Sequence, residues 1–115
     1  MHRARFYDAP LLPSPGSAMG EPACAYEDGQ LVLHFTAYNS FKQNSKAPGT
    51  YSLTQTAPGL DQVVAEGAFA FEPFWRPTKV MGVPVKLADP SSREVRLEVM
   101  NERGRSTAYV FNCTR

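Results

Sequence analysis

Two cysteines are the residues with the clearest capacity for chemistry in this chain of 115 residues. Cys24 lies on the first predicted strand and Cys113 on the last, so a disulfide would tie together the two ends of one domain. Such a bridge persists in oxidising compartments, which predicts a secreted or otherwise extracytosolic protein. The alternative is a cytosolic protein with two buried, reduced thiols. No CxxC pair or Cys/His spacing indicates a metal site, and we expect no metal or cofactor.

Other catalytic chemistries have weaker support in the sequence. A Ser-His-Asp triad could include His34, but no GxSxG motif places a serine, and we expect His34 to be an outward-facing strand residue. Glu66 and Glu72 could form a carboxylate pair for glycoside hydrolysis, but alternating carboxylates are also common on solvated strand faces. No Gly-rich phosphate loop is present. The sequence therefore predicts a protein that is not an enzyme.

The segment 72–77 is the most unusual stretch of the chain. Two prolines stiffen a short connection that displays Phe74, Trp75 and Arg76. Aromatic side chains and arginine are enriched at binding hot spots, so these three are candidate binding residues. A tryptophan can also stack on a sugar face. In the competing interpretation, Phe74 and Trp75 cap one end of the core.

A second candidate surface is the loop 39–49, which is polar, mildly basic and long for a connection between strands. Long loops on rigid sandwiches often bind partners, so Phe41, Lys42 and the neighbouring Tyr38 are also candidate binding residues. The alternative is a solvated loop without a partner. If the protein binds carbohydrate through Trp75, Tyr38 or Tyr51 would be the nearby second aromatic.

The overall charge narrows the class of partner. Twelve basic and eleven acidic side chains give a formal net charge of +1. Nucleic acids and anionic membranes require concentrated positive charge, so neither is the expected partner. No apolar run approaches the roughly 20 residues that span a membrane, and we expect no membrane insertion. These observations leave a protein partner as the main expectation, with carbohydrate as the alternative.

Alternating apolar and polar residues indicate an all-β chain. The alternation predicts strands at 22–27, 30–38, 50–55, 62–72, 79–87, 93–100 and 105–113. Asp28-Gly29 predicts a tight hairpin and Gly67 a bulge. Pro84 predicts that its strand is at an edge or is broken there, because proline cannot donate to a ladder. About seven short strands favour a small antiparallel β-sandwich or a partly open β-barrel, with the disulfide joining the first and last strands.

Residues 1–20 form a Pro-rich arm ahead of the predicted domain 21–115. The segment 6–10 interrupts any apolar stretch, so the arm is not a signal peptide, and a secreted protein would already have lost its signal. Residues 16–20 resemble a cloning scar, and we expect the arm to be a tag, a scar or a fused peptide. A native flexible arm is the alternative. If the arm is a ligand, Phe6, Tyr7, Leu11 and Leu12 should dock in a groove of the domain.

Size, strand pattern and cysteine placement are together typical of small secreted β-sandwich proteins, which include recognition modules, lectin-like domains and effectors. We therefore predict a secreted, non-enzymatic binding protein, such as a host-interacting effector or a surface recognition module. It would contact a protein partner through loop aromatics or a sheet edge. A carbohydrate-binding module centred on Trp75 and a cytosolic adaptor domain with reduced cysteines are the alternatives.

Overall fold

The computed structural model describes residues 11–12, 22–39, 44–56, 61–73 and 76–113. Every regular element within these ranges is a strand: β1 (Ala23–Glu27), β2 (Gln30–Ala37), β3 (Ala47–Gln55), β4 (Gln62–Phe71), β5 (Thr78–Pro84), β6 (Glu94–Asn101) and β7 (Ser106–Asn112). A three-stranded sheet, β1-β2-β5, faces a four-stranded sheet, β4-β3-β6-β7, and all pairings are antiparallel. The predicted all-β sandwich is confirmed. Among the described residues no helix is long or apolar enough to cross a membrane.

The first hairpin forms where the sequence predicts it. Asp28 and Gly29 have φ angles of 54° and 79°, and the flanking Glu27 and Gln30 pair directly. Two successive left-handed residues make the type I′ turn, whose twist matches that of the strands it joins. Glycine tolerates this conformation without strain, and aspartate is among the few residues that adopt it readily.

Strand β5 is an edge strand, as Pro84 predicts, and Pro84 is its last residue. Leu33 of β2 pairs with Val83 and Phe35 with Val80, so two residues of β5 oppose the single residue between them. This bulge contains Gly82, whose φ is 68°. A bulge and a proline both interrupt the ladder of an edge strand, which makes pairing with another chain less favourable.

Strand β4 departs from the predicted alternation at its start. Leu53 pairs with Ala65 and Thr54 with Val63, so Val64 is an extra residue in the ladder. The alternation in the sequence predicts that Val63 shares one face of this strand with Ala65, Phe69 and Phe71. Val63 is instead 49% exposed, and Val64 packs against the core. The prediction for Val63 was wrong because one extra residue shifts every preceding side chain to the opposite face of the sheet.

The predicted bulge at Gly67 was also wrong, since Gly67 pairs in regular register with Tyr51. A Cβ atom built on Gly67 would lie 2.7 Å from Oη of Tyr51. Glycine is therefore suited to this position because the ring of its cross-strand neighbour covers it.

The core lies between the two sheets and is made of their inward faces. Its buried members are Leu11, Leu12, Leu31, Leu33, Phe35, Ala37, Leu53, Phe71, Val85, Val95, Leu97, Val99 and Cys113. Aromatic rings join the sheets, because Phe35 of β2 lies 5.4 Å from Tyr51 and 5.8 Å from Phe69 between ring centroids. These separations are typical of favourable aromatic pairs.

The predicted disulfide is present. Cys24 on β1 and Cys113, directly after β7, are bonded with their Cα atoms 5.0 Å apart. The bridge joins the three-stranded sheet to the four-stranded sheet, and Cys113 is fully buried. A disulfide fits an oxidising, extracytosolic environment.

Gly49→Ala is expected to lower the free energy of unfolding by about 2 kcal/mol, because the added methyl group overpacks the core. A Cβ atom at Gly49 would lie 2.5 Å from Cε2 of the buried Phe71. The matched control is Thr50→Val, on the exposed face beside Gly49, which should change stability by about 0.5 kcal/mol or less. Urea unfolding of both variants checks the prediction, and equal stabilities would contradict it.

Candidate functional site

Both loops that the sequence analysis selects leave the sandwich at the same end. In the three-stranded sheet, Ala37 at the end of β2 pairs with Thr78 at the start of β5. In the four-stranded sheet, Ala47 at the start of β3 pairs with Phe71 at the end of β4. The β6–β7 turn follows Asn101, which pairs with the start of β3. We call this end of the molecule the loop end; it comprises the connections 38–46, 72–77 and 101–105.

A buried pair of asparagines holds two of these connections together. Asn101 Nδ2 donates a hydrogen bond of 3.1 Å to Asn39 Oδ1, and both side chains are at most 5% exposed. Asn101 Oδ1 also accepts the backbone N–H groups of Arg103 and Arg105, each at 3.0 Å. One side chain therefore shapes the β6–β7 turn and attaches it to the connection that follows β2. Local bonds of this kind are the reason asparagine is common in turns.

The connection 72–77 is fixed on both sides of Phe74 and Trp75. Glu72 N donates to Thr78 Oγ1 at 2.8 Å, and Arg76 N donates to Pro73 O at 3.0 Å. Its neighbour is the connection 38–46, because Lys46 Nζ lies 3.5 Å from Glu72 Oε2. The two loops selected from the sequence are therefore adjacent in space.

An open depression lies beside this contact and is lined by Glu72, Arg76, Pro77 and Lys79. Arg76 and Lys79 are exposed, so their charged groups can reach a partner at its rim. Basic side chains on a fixed backbone suit the recognition of carboxylates, because less conformational freedom is lost on binding.

The remaining candidate residues from the sequence lie in different places. Tyr38 is half-buried directly after β2, and Tyr51 packs against Phe35 in the core, so Tyr51 does not form a surface platform. Phe41, Lys42, Phe74 and Trp75 lie outside the described residues. Their assignment as binding residues stays a prediction.

The sandwich carries opposite charge at its two ends. Among the described residues, the loop end carries Lys46, Arg76, Lys79, Arg103 and Arg105 together with the acids Glu72 and Glu102. The opposite end carries Glu27, Asp28, Asp61, Asp89 and Glu94 together with Lys86 and Arg93. There, the hydroxyl and the backbone N–H of Ser91 donate to Asp89 and lower the pKa of its carboxyl. The formal net charge of +1 for the whole chain thus does not reveal the excess of basic side chains at the loop end among the described residues.

A second surface is the solvent-facing side of the four-stranded sheet. In the strand register Ser52 lies between Glu66 and Glu98, and Glu98 Oε1 is 3.6 Å from Arg96 Nη2. The shallow depression here is otherwise lined by Thr50, Tyr51, Gly67, Ala68 and Met100. Glu72 is at the loop end beside Lys46, so Glu66 and Glu72 do not form the carboxylate pair that their spacing allows.

His34 links three strands and faces outward, as the alternation predicts. Its Nδ1 accepts the backbone N–H of Gly82 at 3.1 Å. The ring proton is therefore on Nε2, which donates to Glu27 Oε2 at 2.9 Å. Both ring nitrogens are committed to structural bonds. Across the described part of the chain, no group of three His, Cys, Asp or Glu residues is placed to hold a metal ion.

No family model matches the chain, and no curated protein or solved structure is significantly similar to it. The geometry and charge of the loop end are therefore the observations that bear on function.

Proposed function

We propose that this protein is a secreted, non-enzymatic binding protein that recognises an acidic surface of a protein partner with its loop end. The observation that carries the proposal is the contact between Lys46 and Glu72. It places the described ends of two loops, each selected independently for its residue types, next to each other. Loops presented at one end of a rigid sandwich are a common place for recognition.

The chemistry of this surface favours a protein as the partner. Arg76 and Lys79 are exposed beside the open depression, and arginine is enriched at the centres of protein interfaces. The hydrogen bonds of Thr78 and Pro73 fix the backbone that presents them. Because hydrogen bonds already hold this backbone, its binding costs less conformational entropy than it would for a mobile loop.

The disulfide supports secretion, since a bond between Cys24 and Cys113 persists outside the reducing cytosol. A stable sandwich with a charged recognition end suits a protein that acts after release. A host-interacting effector and a surface recognition module both fit this description.

Reversing charge at the loop end is expected to weaken partner binding by about 30-fold or more, since each rim charge contributes to attraction and to docking. The variant is Arg76→Glu with Lys79→Glu, and the matched control is Lys86→Glu, an exposed lysine beyond the other end of β5. The full chain captures its partner from extracellular fluid, and surface plasmon resonance then compares the captured protein on all three chains. Exposed substitutions of this kind change stability by about 0.5 kcal/mol or less.

Equal affinity of the double variant and the control would contradict the proposal. A screen of glycans that follows Trp75 fluorescence provides a separate outcome, because saturable binding of a sugar would favour the carbohydrate-binding alternative. Thiol counting under denaturing conditions tests the cytosolic alternative, which requires two free thiols in the protein as isolated.

A further inference from the structure

Two residues of the arm are part of the hydrophobic core. Leu11 is 0% exposed and Leu12 is 2% exposed, and both belong to the same cluster as the strand residues. In sequence they precede the first strand by more than ten residues and lie within the segment expected to be separate from the domain. The sandwich therefore buries a dipeptide that is not part of either sheet.

The dipeptide is hydrogen-bonded to both sheets at the loop end. Leu11 N donates to Thr107 Oγ1 on β7 at 2.8 Å. Tyr38 N, directly after β2, donates to Leu11 O at 2.8 Å. Strand β7 is an edge of the four-stranded sheet, and β2 is the central strand of the other. Leu11 thus connects an edge strand of one sheet to the end of the central strand of the other, and we call the space that residues 11–12 fill between Tyr38 and Thr107 the cleft.

Residues 11–12 form a bend, and their contacts require only features that any Leu-Leu segment in this conformation has. They are one backbone N–H, one backbone C=O and two apolar side chains. Main-chain bonds combined with side-chain burial are the usual basis of peptide recognition beside a strand. Nothing in this pattern depends on the covalent connection between Leu12 and Pro22.

We propose that this cleft, between Tyr38 and Thr107, is a binding site for a Leu-Leu peptide segment that bends as residues 11–12 of the same chain do when they occupy it. The occupant we commit to is the arm segment itself, which binds equally when a separate chain supplies it. Residues 13–21 include two prolines and two glycines and span about 30 Å when fully extended. A tether of that reach allows the arm to leave its own cleft and enter that of a second copy. The inference does not depend on the proposed function.

In the test, the protein folds as the full chain and is cut only afterwards. A specific protease site is inserted between Gly16 and Ser17, and cleavage of the folded protein leaves the arm held by non-covalent contacts alone. A fluorescent synthetic peptide of residues 1–16 is expected to exchange into the cleft with saturable binding, measured by anisotropy. The matched peptide with Leu11→Ser and Leu12→Ser keeps the rest of the arm, and it should compete at least about 30-fold less well, because both buried apolar side chains are lost.

A second variant separates peptide recognition from general folding. Thr107→Val in the cut protein keeps the shape of the side chain but removes the oxygen that accepts the Leu11 N–H. It should lower the affinity for the peptide by about 10-fold. Equal binding of the two peptides would overturn the proposal. Release of the arm with immediate unfolding, or a cut arm that never exchanges with added peptide, would also overturn it, because the dipeptide would then be a permanent part of the core.

Discussion

Replacing Cys24 and Cys113 together by alanine is expected to lower the free energy of unfolding by about 4–5 kcal/mol, the largest effect we predict for this protein. The two cysteines are 89 residues apart in sequence, so the bond restricts nearly the whole unfolded domain. Urea unfolding of the oxidised wild-type protein and the double variant measures the difference.

Wild-type protein reduced with dithiothreitol is the matched control, because it loses the cross-link but keeps both sulfur atoms. If the cross-link is the main contribution, reduced wild type and the double variant should have similar stabilities, both well below oxidised wild type. A difference between oxidised protein and the variant below about 1 kcal/mol would contradict the role we assign to the bridge.

Gln55→Glu is expected to lower the free energy of unfolding by about 3–5 kcal/mol, because it places an uncompensated charge in a buried polar network. Gln55 is 0% exposed, and its Oε1 accepts the backbone N–H groups of Ala88 and Asp89 at 2.9 and 3.0 Å. Its Nε2 donates to the carbonyl oxygens of Asp89 and Ser92, each at 2.7 Å. A carboxylate would keep the two accepted bonds but place a buried negative charge against both carbonyls.

Gln62→Glu is the matched control, because Gln62 is exposed and is the register partner of Gln55 on the neighbouring strand. It should change stability by about 0.5 kcal/mol or less. Burial favours the neutral form of the introduced carboxyl in the folded state, so its pKa is raised on folding and the deficit of Gln55→Glu should shrink as pH falls from 7 towards 4. Similar unfolding curves for the two variants at pH 7 would show that the network around Gln55 contributes little.

Features set by neighbouring residues in the chain were predictable from the sequence. The turn at Asp28-Gly29 depends on two residues that tolerate positive φ, and Pro84 limits its strand to an edge or to an end at that residue. All seven strands were predicted. Alternation was the signal for strands such as β6 and β7, along which burial alternates from residue to residue. The bulge at Val64 was not predictable, since it depends on how β4 meets β3 and leaves no local mark in the sequence.

Polar residues in the interior were harder to predict. The period-two pattern places Gln55 on the same face as Tyr51 and Leu53, so a signal of its burial was present. Its partners are 33 to 37 residues away in sequence, and no spacing rule connects them. Asn39 and Asn101 are 62 residues apart and have the composition of ordinary turn residues. Burial of such groups depends on tertiary hydrogen bonds that a single sequence does not display.

The candidate site was also predictable only in part. Residue types alone selected the loops around Tyr38 and Arg76, but their adjacency follows from strand order and from the contact between Lys46 and Glu72. The separation of charge between the ends is hidden by a balanced composition. The docking of Leu11 joins residues 96 positions apart, which exceeds the reach of any local pattern.

The most direct test of the loop end as the recognition surface is a site-specific photo-crosslinker placed on the full chain. One chain carries the crosslinker at Arg76, a second at Lys86 at the opposite end, and a third at Thr50 on the outer face of the four-stranded sheet. Each is irradiated in extracellular fluid, and adducts are separated and identified by mass spectrometry. The account predicts a discrete protein adduct from position 76 and none of that mass from positions 86 and 50. The same adduct from all three positions, or an adduct from position 50 alone, would contradict it.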